Sequence, residues 1–170
     1  MTRRRFLRWG LWGGALLTVS AIGIGAWPSR IKHVPRRPLQ VLDAAGFNVL
    51  AVAAERAVRA PGADPAELAH AVDTVLSRGT PEAQDDFRRL LQLLENGLAG
   101  LLLDGRPQPF TRLSPAGQDA ALLAFRDSRI TARRAGYHSL RRLCLAAYYV
   151  LPSTWESIGY PGPPQISVPS

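Results

Sequence analysis

Three times in this chain a short polar residue stands directly before a proline at the head of an apolar stretch: Asp64-Pro65-Ala66-Glu67, Thr80-Pro81-Glu82 and Ser114-Pro115. Each is a helix start. The polar side chain accepts from N–H groups that the first turn leaves unpaired, and proline fits the first helical position because its φ is preset and it has no N–H to lose. Glu67 completes a capping box with Asp64. Apolar residues at spacings of three and four follow. Leu68, Val72, Val75 and Leu76 predict the buried face of the first of these helices, ended by Gly79. Phe87, Leu90, Leu91, Leu94, Leu98, Leu101 and Leu102 carry the second to about Leu103, where Asp104-Gly105 closes it. Leu122, Leu123 and Phe125 mark the third.

Two more helices frame these. Residues 39–59 carry Leu42, Ala45, Val49, Val52 and Ala53 at helical spacing, widened by Phe47, Leu50 and Ala54, and residues 128–150 continue beyond a break near Asp127-Ser128. No segment alternates with period two, and outside the first 30 residues Val and Ile are sparse, so strands are excluded. Residues 39–150 therefore predict an all-α fold: one compact bundle of about five helices joined by Pro- and Gly-containing turns. Residues 151–170 are too rich in Pro and Gly for a helix and predict an extended tail bearing Trp155 and Tyr160.

The N-terminus has a different character. Thr2-Arg3-Arg4-Arg5-Phe6-Leu7-Arg8 precedes 21 residues, Trp9 to Ser29, without a charged side chain. The order resembles a twin-arginine export signal, with Thr2, Arg3, Arg4, Phe6, Leu7 and Arg8 in its slots. A signal-anchor helix held by the positive-inside rule is the competing reading. Both place the body on the far side of a bacterial-type inner membrane, and an uncleaved segment 1–29 would anchor it there. Residues 30–38, with Arg30, Lys32, Arg36 and Arg37 among Pro35 and Pro38, predict a stiff basic linker able to lie on anionic headgroups.

Charge follows the same division. Residues 1–40 hold eight basic side chains and no acid, which equals the whole net charge of +8, while residues 41–170 hold 13 of each sign. The body lacks the basic footprint of a nucleic-acid binder, and nucleic acid is set aside.

Catalytic chemistry finds no constellation. His33, His70 and His138 are too far apart in the chain to pair and are expected at the surface or half-buried. Asp85-Asp86 reads as helix N-terminal charge. The chain has no Cys-x-x-Cys-His, and its single cysteine, Cys144, has two open readings: a small core hydrophobe, or a thiol paired with another chain in an oxidising compartment. Trp155 and Tyr160 likewise could lid their own bundle or lie across a partner, and a proline-stiffened aromatic segment suits the second.

Tyr148-Tyr149, Trp155 and Ile158-Gly159-Tyr160-Pro161-Gly162-Pro163-Pro164 together resemble the C-terminal signature of the gluconate 2-dehydrogenase subunit 3 family. Phe110-x-x-Leu113-Ser114-Pro115, Gln118-Asp119 and Phe125-Arg126-Asp127-Ser128 agree with it. The resemblance implies a non-catalytic accessory subunit that binds no cofactor itself. Its partner would be a large FAD-dependent sugar or alcohol dehydrogenase of the glucose-methanol-choline type, often with a multihaem cytochrome c subunit. The small subunit would carry the export signal for both, to the periplasm. On this reading Cys144, Tyr148, Tyr149, Trp155, Ile158, Tyr160 and Pro161 form the partner interface. A membrane-anchored periplasmic structural or assembly protein without an oxidoreductase partner is the alternative class, and it leaves the aromatic tail unexplained.

Overall fold

Eight consecutive residues, Phe47-Asn48-Val49-Leu50-Ala51-Val52-Ala53-Ala54, are buried. They sit in the first helix of the structure, a computed structural model that describes residues 28–60 and 62–162. A helix apolar all round must be enclosed by others. Helix α1 (Ala44–Ala57) is surrounded by α2 (Pro65–Leu76), α3 (Pro81–Glu95), α5 (Pro115–Arg126), α6 (Thr131–Val150) and a 3₁₀ turn at Phe110–Arg112. Helix α4 (Gly97–Asp104) follows α3, and a single turn, α7 (Pro152–Trp155), follows α6. Among the described residues the fold is an all-α bundle without strands. The export motif and residues 9–27 lie outside the described residues, as do residues 163–170.

The proline-marked starts form as local chemistry dictates. The side chains of Asp64, Thr80 and Ser114 accept from the N–H groups of Ala66, Ala83 and Gly117, and each proline occupies the first turn.

The long helix expected over 81–103 is instead two. Asn96 ends α3 and caps α4, its Oδ1 accepting from Leu98 N and Ala99 N at 2.9 and 3.0 Å. The break lets residues 106–109 pass against α4. A Cβ on Gly97 would lie 2.8 Å from the Pro107 carbonyl oxygen, and one on Gly100 2.7 Å from that of Arg106. Capping by Asn96 and this close approach override the leucine spacing. Leu102 and Leu103 consequently face solvent.

Helices α4, α5 and α6 meet at a buried charge. Arg133 of α6 donates to Asp104 at 2.6 Å and lies 4.2 Å over the Phe125 ring. Asp104 is also 3.9 Å from Arg106, whose pKa is lowered first by burial and then by the neighbouring Arg133.

The basic segment before α1 is extended as its prolines predict, but it is a strap fastened to the bundle rather than a free linker. Asn48 Oδ1 accepts from Lys32 N and His33 N, and its amide donates to the Arg30 carbonyl. His70 Nε2 accepts from Arg36 N at 3.1 Å. The Asp73 carboxylate takes three backbone N–H groups, of Gln40, Val41 and Leu42, at 2.7–3.1 Å. Thr111 Oγ1 accepts from Arg30 N and donates to Glu95. Asn48, His70, Asp73 and Thr111 are all buried, so these bonds satisfy groups that would otherwise be stranded in the core. Outside them, Arg36 pairs with Asp64 at 2.7 Å and Arg37 with Glu67 at 2.6 Å in exposed positions.

Stability follows burial rather than the count of ion pairs. Asp73→Ala strands three backbone donors and is expected to lower unfolding free energy in urea by about 2–4 kcal/mol. Glu67→Ala, which removes an exposed pair, should cost less than about 1 kcal/mol.

The strap also makes the fold sensitive to mild acid. Burial, then the charge of Arg37, lowers the His70 pKa below its ordinary 6.5, and burial lowers that of His33 likewise. The unfolded chain therefore takes up these protons first as pH falls. The contribution is complete above about pH 6.5 and is lost below it. The urea midpoint should drop between pH 7.5 and 5.5, and His70→Gln, which keeps an acceptor without titrating, should flatten the drop.

Candidate partner interface

The C-terminal segment is folded, not extended, over residues 152–158. Pro152 starts the turn α7, and a 3₁₀ turn at Glu156–Ile158 follows. Thr154 is wholly buried, and its hydroxyl bonds the Tyr148 and Leu151 carbonyls at the end of α6. The Trp155 indole N–H donates to the Tyr149 carbonyl at 3.0 Å. These bonds occupy carbonyls that the last turn of a helix leaves free, which is why the chain doubles back there. Gly159 adopts a left-handed φ of +68° and returns the backbone so that Tyr160 N reaches the Trp155 carbonyl. The Tyr160 ring then stands edge-on to Trp155, 5.3 Å between centroids. Gly162 lies against the same indole, where a Cβ would come 3.2 Å from its ring.

The seven side chains expected at a partner interface divide by depth. Cys144 and Tyr148 are buried inside the chain, and Trp155 is half-buried by its own tail. Tyr149, Ile158, Tyr160 and Pro161 are exposed, with Val150 beside them. Tyr149 is 57% exposed and Val150 68%, so the end of α6 and the turn beyond it expose apolar and aromatic side chains. A position in the core suits Cys144 as a small hydrophobe. A disulfide to another chain from there would require α6 to leave the bundle.

Burial pushes the Cys144 thiol up to about 12, far from a nucleophilic thiolate. Among the described residues no group of three His, Cys, Asp or Glu side chains could hold a metal ion. No helix among them is long and apolar enough to cross a membrane. His70, expected at the surface or half-buried, is in the core as an acceptor for the strap. His33 is half-buried in the strap and His138 is exposed on α6.

The family model for gluconate 2-dehydrogenase subunit 3 matches residues 44–162. The chain belongs to this family. The matched span starts at the first residue of α1 and ends at the glycine seated on Trp155, so the subunit 3 unit comprises the bundle and the folded tail together. The strap precedes it. Searches of curated proteins and of solved structures return no match. The family is named for a subunit of gluconate 2-dehydrogenase, which is consistent with an accessory role.

The buried thiol gives a direct check of this arrangement. An aromatic disulfide reagent should label Cys144 only at the rate of global unfolding, and non-reducing gels of the purified chain should show no disulfide-linked species. Rapid stoichiometric labelling of the native protein would place α6 off the core.

Proposed function

We propose that this chain is the non-catalytic small subunit of a membrane-associated periplasmic, FAD-dependent sugar or alcohol dehydrogenase, and that it escorts and stabilises the large flavin subunit. One observation carries the reading: the family match covers the whole bundle and the aromatic turn, and a family defined as one subunit of a dehydrogenase needs the others for its activity. The exposed Tyr149, Val150, Ile158 and Tyr160 supply a surface of the composition that protein interfaces favour. FAD belongs on this reading to the large subunit, and haem c to a third, cytochrome subunit.

The escort role rests on Thr2, Arg3, Arg4, Phe6, Leu7 and Arg8 ahead of the uncharged stretch. A receptor that reads the guanidinium pair directs the chain and whatever it holds to the periplasm, where the uncleaved apolar segment would keep the pair on the inner membrane. Affinity capture of the tagged chain from the detergent-solubilised cell envelope of cells that also express the large subunit tests both roles. The eluate should show flavin absorbance, and Arg3→Lys with Arg4→Lys should leave chain and flavin activity in the cytoplasm. A colourless lone chain would overturn the accessory reading. Flavin activity still reaching the periplasm with the lysine pair would overturn the escort.

A further inference from the structure

The neutral body hides a segregation of charge. Between residues 105 and 150 the chain carries eight basic and two acidic side chains, and α6 alone has four arginines and no acid. On the other side of the bundle the strap's Arg36 and Arg37 pair with Asp64 and Glu67. Nothing similar covers α6. Arg133 is buried on Asp104, while Arg141 and Arg142 are exposed and have no acidic partner among the described residues.

Arg141 stands on the rim of a groove of about 460 Å³ between the C-terminal end of α1, α5 and the outer flank of α6. Its floor is Leu122, Leu145 and Tyr148, and Tyr137, Leu123 and Tyr149 stand around it. Leu123 is 44% exposed there. Arg56 and Arg59 complete the rim, and both bond one carboxylate, Asp119. Three guanidiniums and one carboxylate thus surround an apolar, tyrosine-lined hollow. Through Tyr149, whose carbonyl holds the Trp155 indole, the groove runs into the aromatic surface of the tail.

We propose that this groove is the docking site for an acidic segment of the large flavin subunit, one that sets an aliphatic or aromatic side chain between Leu123 and Tyr149 and aspartate or glutamate against Arg59 and Arg141. The proposal rests on the reading of the chain as an accessory subunit. Arginine recognises carboxylates in a fixed bidentate geometry, and arginine and tyrosine are the residue types that dominate interface energetics. A concave hollow takes a protruding side chain, whereas the plane of a bilayer would meet only its rim. The opposite flank of α6 has a second, more apolar groove along Leu90, Leu93, Ala132, Ala135 and Leu143. Asp86 and Arg89 balance its charge, so nothing there identifies an occupant.

The test is affinity capture of the large flavin subunit by the full tagged chain in low salt, with the flavin-to-chain ratio as readout and thermal melts as the fold control. Arg141→Glu, which removes no ion pair among the described residues, should reduce the ratio by about tenfold or more at an unchanged melt. Arg59→Glu/Arg141→Glu, which also gives up the Arg59–Asp119 pair, should reduce it at least as far with a small drop in the melt, and high salt should weaken wild-type capture. Arg141→Lys should retain part of it, and Ala135→Glu on the opposite flank should retain all of it. Capture by wild type and by both glutamate variants alike would overturn this docking site while leaving the subunit reading intact. Loss with Ala135→Glu alone would overturn it in favour of the other flank. Failure of wild type to capture any flavin would instead overturn the subunit reading, and the site with it. Sedimentation of the chain with anionic phospholipid vesicles, abolished by Arg141→Glu while flavin capture persists, would overturn it in favour of a lipid surface.

Discussion

Enclosing α1 on every side is the constraint from which the rest of this structure follows. Residues Phe47 to Ala54 leave it no solvent-facing stripe, so helices must pack around it and every polar group on it must find a partner inside. Asn48 is the one polar residue in that run, and the backbone of residues 30–33 satisfies it. The neighbouring α2 repeats the solution with His70 and Asp73, which bind the chain at 36 and at 40–42. The strap is thus part of the core's hydrogen bonding, although its side chains are mostly charged and exposed.

What could be read from the sequence divides by the range of the interaction. The helix starts at Pro65, Pro81 and Pro115 depend on bonds spanning two or three residues, and the residues that make them are adjacent in the chain. The all-α class was legible for the same reason. The break at Asn96 was masked by leucines that keep helical spacing through it; Asn96-Gly97 was the available signal, and the passage of residues 106–109 over Gly97 and Gly100 decides it. The strap was legible only as extended, because its fastening bonds join residues 15 to 81 positions apart. A histidine and an aspartate at positions 70 and 73, with Val72 between them on an otherwise apolar face, were the trace of it. The tail's Pro and Gly content pointed away from helix, yet Pro152 serves as a first helical residue, as Pro65 and Pro81 do, and Gly159 supplies the left-handed turn.

The candidate interface was only partly visible. Trp155, Tyr149 and Tyr160 do gather at one end of α6, but Cys144 and Tyr148 face inward, and the groove beside them is built from α1, α5 and α6 together. Equal totals of acid and base in residues 41–170 concealed the excess of arginine on α6, because residues 41–104 carry the compensating excess of acid. In this chain of the gluconate 2-dehydrogenase subunit 3 family, the strap before α1 closes one side of the bundle, and the outer flank of α6 carries arginines unpaired among the described residues.

Native-state hydrogen exchange of the isolated chain tests most directly the claim that the strap belongs to the folded body. The amides of Lys32, His33, Arg36, Gln40, Val41 and Leu42 should be protected and should exchange through the same cooperative opening as those of α1. Exchange of these amides at the rate of a free chain, with α1 still protected, would show that the bundle closes without the strap and would contradict the account.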